Sequence, residues 1–361
     1  MSTLKIKSIE VESIHVNHRG NWVFILVHSE EGSIGIGEAS HSRKDEQIHQ
    51  IIKNLEPNLI GFNIFDFESY RRRFFTDSEG HTYHTIISAI EHAMWDLAGK
   101  KLDVPSHQLL GGRCRSKIRL YANINRATID RSPLGFAKNA EKAVEEGFTA
   151  IKCAPFDGVS TSDISKNSLN AAIRQGIERL RMIRDTIGED IDLMVDCHSR
   201  FNAGLIVQTS KELDDLNLFW IEDPIPLDDL DAVAHVSQST SMPIATGEKL
   251  RTLEEFNILL RLGRVDYILP DIKHVGGLLG LKKIATLAET TNVKITPHNP
   301  SGPVATAASV QCMATIPNFG ILEYAWGEVD WRSTLVDPPE TITNGFIDVP
   351  DIPGLGISLN L

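Results

Sequence analysis

Residues 219–224 read FWIEDP, a short apolar segment that ends in acidic residues, and segments of this kind decide the fold. Residues 192–196 (DLMVD) and 244–248 (IATGE) repeat the pattern on either side. The acids that end the three segments are spaced 26 residues apart, which is the length of one strand followed by one helix. The spacing predicts successive parallel strands that bring their terminal acids to one edge of a sheet.

Apolar segments of this length occur eight times in the second part of the chain, with amphipathic helical patterns between them. They are residues 118–123, 150–154, 192–196, 219–222, 244–247, 267–270, 294–297 and 321–323. Eight strands that alternate with helices favour an α/β fold with a closed parallel barrel of the (β/α)8 type. The chemistry of such a barrel belongs at the carboxyl ends of its strands. A doubly wound sheet is the weaker alternative.

The residues before the barrel follow a different order, with strands first and helices afterwards. Residues 4–40 contain three strand-like segments, the last two joined by a Glu31-Gly32 turn, which is typical of an antiparallel meander. Residues 84–101 carry an apolar stripe at helical spacing that stops near Pro105. The pattern predicts an α+β N-terminal domain.

The length of the chain, 361 residues, exceeds the usual limit of a single hydrophobic core. We therefore expect two domains, the first at residues 1–117 and the barrel at residues 118–339. Residues 346–357 are strand-like again and follow the eighth barrel strand. We expect the segment from about residue 340 to residue 361 to return to the first domain and complete it.

The composition excludes several classes of function. The net charge is −12 and no basic cluster stands out, so we expect neither a nucleic-acid partner nor a membrane partner. No run of about 18 apolar residues occurs, and the N-terminus lacks an apolar signal core. The four cysteines form no Cys-x-x-Cys pair, which argues against a zinc or disulfide framework. We expect a soluble cytoplasmic protein whose anionic substrate is held by local positive charge.

Three converging carboxylates at the barrel edge require a cation. Asp196, Glu222 and Glu248 offer oxygen ligands, which suit Mg²⁺ and also Mn²⁺. Each acid taken alone could instead be a helix cap or a solvated loop residue. Their shared position after successive strands favours a metal site, and we predict Mg²⁺, with Mn²⁺ as the alternative.

A candidate general base follows the seventh strand. His298 lies in residues 296–300 (TPHNP), and Asp271 ends the sixth strand, so adjacent strands could pair the two side chains. A carboxylate beside an imidazole fixes its tautomer and raises its basicity. A lone histidine in such a loop is more often a packed or capping residue, but the neighbouring acid favours the catalytic interpretation.

Three more residues are candidates for the site. His198 lies two residues beyond Asp196, so strand alternation would point both side chains inward; we predict that it protonates a leaving oxygen, with support of the metal site as the alternative. Lys152 ends the second strand and could bind a substrate carboxylate or extend to solvent at the barrel mouth. Glu323 closes the eighth strand and could hydrogen-bond an enolate oxygen if burial raises its pKa, or form a rim salt bridge.

Together these motifs resemble the enolase superfamily, and within it the mandelate racemase-like group, over nearly the whole chain. The first domain contributes residues 37–39 (GEA), 88–100 (SAIEHAMWDLAGK) and 109–112 (LLGG). The barrel contributes residues 222–224 (EDP), 247–248 (GE), 270–271 (PD), 276–277 (GG) and 298–303 (HNPSGP). The resemblance implies a modified TIM barrel, of the (β/α)8 type, whose mouth is covered by an α+β N-terminal capping domain.

The resemblance also implies roles for the candidate residues. The three strand-end acids would bind Mg²⁺, the substrate carboxylate would chelate the metal, and His298 with Asp271 would remove the α-proton. The muconate-lactonizing group is similar except for a lysine base at the position of Asp271, so that group is disfavoured. Racemases of the mandelate group look to have the motif Lys-x-Lys at the second strand. In this chain Ala154 stands at the position of the second lysine.

The pairing of His198 with His298 resembles acid sugar dehydratases of the galactonate and mannonate type. We predict that His298 takes the C2 proton of a sugar acid, that the metal and Glu323 stabilise the enediolate, and that His198 protonates the C3 oxygen as it leaves. The product would be a 2-keto-3-deoxy acid. The leaving oxygen could be hydroxide or a ring ether, as in the 3,6-anhydrogalactonate cycloisomerases of this superfamily.

Other functions remain open from sequence. His298 and His198 on opposite faces would serve a racemase or epimerase, and the same fold could be a non-catalytic sugar-acid-binding protein. We expect a homo-oligomer of unspecified order, with substrate specificity in two cap segments. These segments hold His18, Arg19, Asn21 and Trp22, and His81, Tyr83 and His84. The residues of the first segment would equally suit a hairpin loop, and those of the second a helix N-terminus, with no role in substrate binding.

Overall fold

A computed structural model of the chain describes residues 3–41, 43–76, 79–162, 165–261 and 265–361. Its strands are β1 (Ile6–Asn17), β2 (Gly20–Ser29), β3 (Ile34–Glu38), β4 (Lys117–Asn123), β5 (Ala150–Cys153), β6 (Asp192–Asp196), β7 (Leu218–Glu222), β8 (Ile244–Thr246), β9 (Tyr267–Ile268), β10 (Lys294–Ile295), β11 (Leu322–Tyr324), β12 (Val336–Asp337), β13 (Ile342–Thr343), β14 (Phe346–Asp348) and β15 (Ser358–Leu359). Its α-helices are α1 (Asp45–Leu59), α2 (Phe67–Phe74), α3 (His81–Leu102), α4 (Ser106–Leu109), α5 (Pro133–Glu145), α6 (Lys166–Ile187), α7 (Ala203–Ser210), α8 (Leu230–Ser239), α9 (Leu253–Arg261), α10 (Gly277–Glu289) and α11 (Pro303–Met313).

The N-terminal sheet is the predicted meander, with β1, β2 and β3 paired antiparallel in that order. Helix α3 packs against β3 at very short range, because glycines face it. A Cβ atom on Gly37 would lie 1.8 Å from the Ala89 carbonyl oxygen, and one on Gly35 would lie 2.2 Å from that of Ala93. The absence of side chains at these two positions therefore permits the close helix–sheet contact.

The barrel strands β4 to β10 form a parallel sheet in sequence order, and β11 pairs with β4 on the other side. The ring closes between β10 and β11, where Ile295 bridges to Phe319 just before β11 begins. All eight predicted barrel strands are present, so the predicted closed barrel is confirmed. The doubly wound alternative is wrong.

The barrel is filled below the site by inward side chains from its own strands. This inner cluster contains Tyr121, Ala150, Met194, Trp220, Ala245, Leu269 and Ile321. Trp220 also reaches upward, since its indole Nε1 donates to Glu222 Oε2 over 3.0 Å. A solid apolar floor therefore supports the carboxylates at the strand ends.

The barrel departs from a regular eightfold repeat after its eighth strand. Among the described residues, β11 is followed by a short 3-10 helix at Arg332–Leu335 and not by an α-helix. The chain then contacts both parts of the molecule: β14 pairs antiparallel with β4, and the Leu355 N–H donates to Asp96 of α3 over 2.9 Å. The assignment of the terminal segment to the first domain stays a prediction.

Two buried carboxylates of the N-terminal domain hold that domain on the barrel. Glu38 accepts hydrogen bonds from the Gly302 and Ala305 N–H groups at 2.7 and 2.8 Å, at the start of α11. Glu91 accepts from the Leu278 N–H over 2.8 Å, at the start of α10. Helix N-termini favour negative charge, because their first N–H groups lack partners within the helix. The two contacts fix the cap above the strand ends.

Within the described ranges, every helix is too short or too polar to span a lipid bilayer.

Candidate active site

A cluster of three acids lies where β6, β7 and β8 end. Asp196 and Glu222 are aligned partners in the parallel register of β6 and β7, and Glu248 follows β8 by two residues. One carboxylate oxygen from each lies within 4.8 Å of the others, so the three could hold a metal ion. An all-oxygen donor set of this kind fits a hard divalent cation.

The electrostatics of the cluster differ between its members. Burial raises the pKa of Glu222 well above its usual range; the charge of Lys152 opposes this shift, and repulsion from Asp196 reinforces it. Burial also opposes ionisation of Asp196, but a hydrogen bond and the charge of His198 outweigh it and lower that pKa to about 2. The cluster therefore concentrates negative charge that a cation would relieve.

Lys152 lies within this negative charge, and its side chain is 1% exposed. Its ammonium donates to Glu222 Oε1 and lies 3.1 Å from Glu323 Oε1 and 4.0 Å from Asp196 Oδ2. The side chain also lines the cavity above the cluster. It therefore neutralises the carboxylates at the strand ends, and its contact with a substrate carboxylate stays a prediction.

His298 and Asp271 form a hydrogen-bonded pair at the ends of β10 and β9. His298 Nδ1 lies 2.9 Å from Asp271 Oδ2, and its Nε2 lies 3.2 Å from Glu248 Oε2. Asp271 is fully buried, which opposes its ionisation, but the charges of Lys273 and His274 hold its pKa well below the usual range. Burial lowers the pKa of His298, whereas Glu248, Glu323 and the bond to Asp271 raise it, to about 9.

His198 reaches the site by a different route from the one predicted. Strand β6 ends at Asp196, and His198 has a left-handed backbone with φ of 49°, so strand alternation does not apply to it. The Asp196 carboxylate accepts the His198 N–H over 2.8 Å and contacts its Nε2 over 2.8 Å. Burial lowers the pKa of His198, but the bond to Asp196 outweighs this and raises it. The geometry favours the imidazolium form.

Glu323 is fully buried, and the expectation of a raised pKa is wrong. Burial raises the pKa of its carboxyl group. The charges of Lys152 and His298 and a hydrogen bond from the Asn299 N–H outweigh burial, so the pKa is lowered. That N–H donates to Oε2 over 2.8 Å, and the Asn123 side chain donates to Oε1. Glu323 therefore accepts hydrogen bonds as a carboxylate and orders the loop next to His298.

A cavity of about 580 Å³ lies above these groups. Its walls include Asn123, Lys152, Asp196, His198 and His298 near the strand ends, and His18, Arg19, Arg126, Arg131 and Arg200 farther out. The base and acid candidates therefore face one space that also meets the acidic cluster. Its volume is in the range of sites for small metabolites.

Two family models together match most of the chain. Residues 4–111 match the N-terminal domain of mandelate racemase / muconate lactonizing enzyme, and residues 135–361 match the enolase C-terminal domain-like family. The chain belongs to the enolase superfamily. Within this superfamily it falls in the mandelate racemase-like group, as the sequence motifs indicated, and it is an enzyme.

Relatives and solved structures of the superfamily match over nearly the full length. The D-xylonate dehydratase of Haloferax volcanii is 34% identical, covering 98% of this chain and 86% of the relative. The D-gluconate dehydratase of Thermoproteus tenax is 31% identical, covering 94% and 68%. A mandelate racemase/muconate lactonizing enzyme from a Sulfitobacter species has a TM-score of 0.90 at 28% identity, covering 99% of this chain and 94% of that structure.

The cap residues that the sequence suggested for substrate specificity lie in different parts of the structure. His18 and Arg19 line the main cavity, and Asn21 and Trp22 line a smaller cavity beside it. The His81 ring packs edge-on against His274, with ring centroids 4.1 Å apart. The remaining two point elsewhere. His84 is fully buried, and Tyr83 packs against the hydrophobic core of the cap.

Sequence reasoning missed several cavity residues. Asn123 ends β4 and donates to Glu323; its position at the end of the first barrel strand was a usable signal. Arg126 and Arg131 follow in the next loop, and each is already paired, with Glu328 and Asp157 respectively. No local pattern marks these arginines, since their partners come from distant parts of the chain.

Proposed function

We propose that this protein is a Mg²⁺-dependent sugar-acid dehydratase that removes the C2 proton and eliminates the C3 oxygen to give a 2-keto-3-deoxy acid. The observation that carries the proposal is the placement of two histidines, His298 and His198, on one cavity beside the acidic cluster. Full-length relatives named as dehydratases of xylonate, gluconate and galactonate support the substrate class.

His298 is the general base of the proposed reaction, since the Glu248 charge that most raises its pKa would be offset by a cation held among the three acids. Its Nδ1 is held by Asp271, so Nε2 is the nitrogen directed toward the strand ends, where the substrate carboxylate would lie. A buried carboxylate on the far nitrogen stabilises the imidazolium that forms when the proton is taken. This arrangement needs no second residue to accept the proton.

His198 is the general acid. Its pKa is raised by Asp196, so it holds a proton to give to the departing oxygen at C3. The position that would carry a second lysine base in a racemase is occupied by Ala154, which lines the cavity without a titratable group. One base and one acid suit elimination better than racemisation.

Asp196, Glu222 and Glu248 are the proposed metal ligands, and their oxygens lie close enough to share one ion. A divalent cation held there would bind the substrate carboxylate and stabilise the negative charge that develops on it as C2 loses its proton. We favour Mg²⁺, and Mn²⁺ satisfies the same ligands.

Lys152 and Glu323 complete the proposal. The Lys152 ammonium, between Glu222 and Glu323, is placed to donate to a carboxylate oxygen of the substrate. Glu323 acts as a positioning residue, because it holds Lys152 and the Asn299 backbone next to His298. As an ionised carboxylate, Glu323 accepts hydrogen bonds and has no proton to donate.

The test is a panel of sugar acids incubated with the enzyme and Mg²⁺, with 2-keto acids detected by semicarbazide. Turnover that is lost on chelation and restored by Mg²⁺ is the expected result, and His298→Asn abolishes it. The panel includes 3,6-anhydro acids, because ring opening would use the same groups and give a product of unchanged mass. Deuterium exchange at C2 with no keto acid from any member would contradict dehydration and favour epimerisation.

A further inference from the structure

A side cavity of about 170 Å³ adjoins the active-site cavity on the cap side. His298, Pro300, Arg19 and Arg126 belong to the walls of both cavities. A substrate whose reacting carbons face His298 can therefore extend its far end into this side cavity. Nothing in the proposed reaction uses that space.

Lys273 supplies a buried positive charge in the side cavity. The residue is 4% exposed, and its ammonium lies 3.5 Å from Asp271 Oδ2 and 3.5 Å from the Ser40 carbonyl oxygen. Both contacts are longer than a good N–H···O hydrogen bond. Asp271 is also shared with His298, its closer partner. The ammonium therefore keeps unused hydrogen-bonding capacity toward the cavity.

Arg19 supplies a second positive charge, from the turn that joins β1 to β2. The other arginines near it are matched, Arg126 by Glu328 and Arg131 by Asp157. Among the described residues, no carboxylate forms an ion pair with the Arg19 guanidinium. Arg126 and Arg131 repel the Arg19 charge, and the attraction of Glu328 and Asp157 offsets this repulsion only in part. An anion between Arg19 and Lys273 would offset this excess of positive charge.

Glu328 contributes an acceptor to the same cavity. One carboxylate oxygen bonds to Arg126, while the other, Oε2, is buried and has no hydrogen-bond partner among the described residues. A buried carboxylate oxygen without a donor is costly. A hydroxyl group beside the bound anion would supply that donor.

We propose that the side cavity binds the far end of the substrate as an α-hydroxycarboxylate, with Arg19 and Lys273 on the carboxylate and Glu328 Oε2 accepting from the hydroxyl. The substrate is then a sugar diacid and not a monoacid. This inference rests on the proposed dehydration for the orientation of the chain, and it makes Arg19 and Lys273 specificity-determining residues. A terminal hydroxymethyl group, as in a monoacid, would leave both cations unmatched.

The test compares diacids with monoacids of the same configuration and length: glucarate with gluconate, galactarate with galactonate, and xylarate with xylonate. The diacid of at least one pair should have a kcat/KM roughly tenfold higher, the size expected for one additional charged hydrogen bond. Binding of each acid to the His298→Asn variant, measured by calorimetry with Mg²⁺ present, gives the same comparison without turnover. The binding experiment therefore tests the inference even if dehydration itself is not found.

Two substitutions separate recognition of the far end from general effects. Arg19→Gln, on a half-exposed turn, should raise KM roughly tenfold more for the diacid than for the monoacid. Lys273→Met should show the same difference in KM, while kcat falls for both classes because the Lys273 ammonium lies beside Asp271 of the base pair. Arg72→Gln changes the net charge equally on an exposed helix surface outside both cavities and should change neither. A wild-type preference for monoacids, or an equal loss for both classes in Arg19→Gln, would overturn the proposal.

Discussion

His298 Nδ1 lies 2.9 Å from Asp271 Oδ2, and this contact decides which imidazole nitrogen faces the acidic cluster and the substrate. Asp271 is fully buried, and its other oxygen accepts the Lys273 N–H over 2.8 Å. The carboxylate is therefore held in place by its own loop. The imidazole is oriented by a carboxylate whose two oxygens both have hydrogen-bond partners.

Asp271→Asn should lower kcat by roughly 10²- to 10⁴-fold, since loss of the orienting aspartate costs about 10⁴-fold in the Ser-His-Asp triad. The amide fills the same space but cannot stabilise the imidazolium and favours the wrong tautomer. Stopped assays of keto-acid formation measure the effect, and circular dichroism confirms that the variant is folded. A change of less than about threefold would mean that Asp271 is only structural.

His198→Asn should separate proton removal from elimination. Because His198 is proposed to act after C2 has lost its proton, the variant should still exchange the C2 hydrogen with solvent while keto-acid formation falls by roughly 10²- to 10⁴-fold. Proton NMR in D₂O measures loss of the C2 signal from recovered substrate. Equal loss of exchange and of product would instead assign His198 to support of the acidic cluster through Asp196.

The barrel could be predicted because each of its strands is a short apolar segment between amphipathic helices. In such a barrel the carboxyl ends of all strands lie at one end, so acids that end successive strands come close together. Asp196, Glu222 and Glu248 needed only that argument. The position of His198 could not be obtained in this way, since its left-handed backbone depends on a turn that the Asp196 carboxylate stabilises. Asp at the end of a strand is a known turn former, so the signal was present but not used.

The features of the site that the sequence did not predict depend on contacts between distant parts of the chain. The lowered pKa of Glu323 comes from Lys152, on a strand far away in sequence. No pattern within its own segment marks Lys273, whose ammonium contacts the Ser40 carbonyl oxygen of the cap. Side-chain patterns along one segment carry no information about such partners. The predicted cytoplasmic location and homo-oligomeric state stay predictions.

Lys152→Met should destabilise the protein more than an ordinary surface substitution. The change leaves Glu222 and Glu323, both fully buried, without their shared cation, and breaking a buried pair in this way costs about 3–5 kcal/mol. Urea unfolding measures the loss. Added Mg²⁺ should recover more stability in the variant than in the wild type, because binding to the folded state adds to its stability.

Two comparisons sharpen the Lys152 experiment. Lys117→Met removes an exposed lysine whose ammonium is 3.6 Å from Asp348, and it should change stability by less than about 0.5 kcal/mol. The double variant Lys152→Met with Glu222→Gln should be more stable than Lys152→Met alone, since one unpaired charge is removed. If the double variant is less stable than Lys152→Met, repulsion between the carboxylates is not the cause of the lost stability.

Glu38→Ala should weaken both stability and catalysis, because one side chain joins the cap to the loop that carries the base. Its loss leaves two buried N–H groups at the start of α11 unpaired, at a cost of about 2–3 kcal/mol. Gly302 lies four residues after His298, so the loop is also less firmly held, and kcat should fall even when the variant is fully folded. Glu31→Ala, which removes a half-exposed ion pair with Lys101, is the matched control and should cost less than about 1 kcal/mol. Urea unfolding and kcat measured at a temperature well below the transition report the two effects separately. An unchanged kcat in a destabilised Glu38→Ala protein would show that the hydrogen bonds between Glu38 and the start of α11 contribute to folding alone.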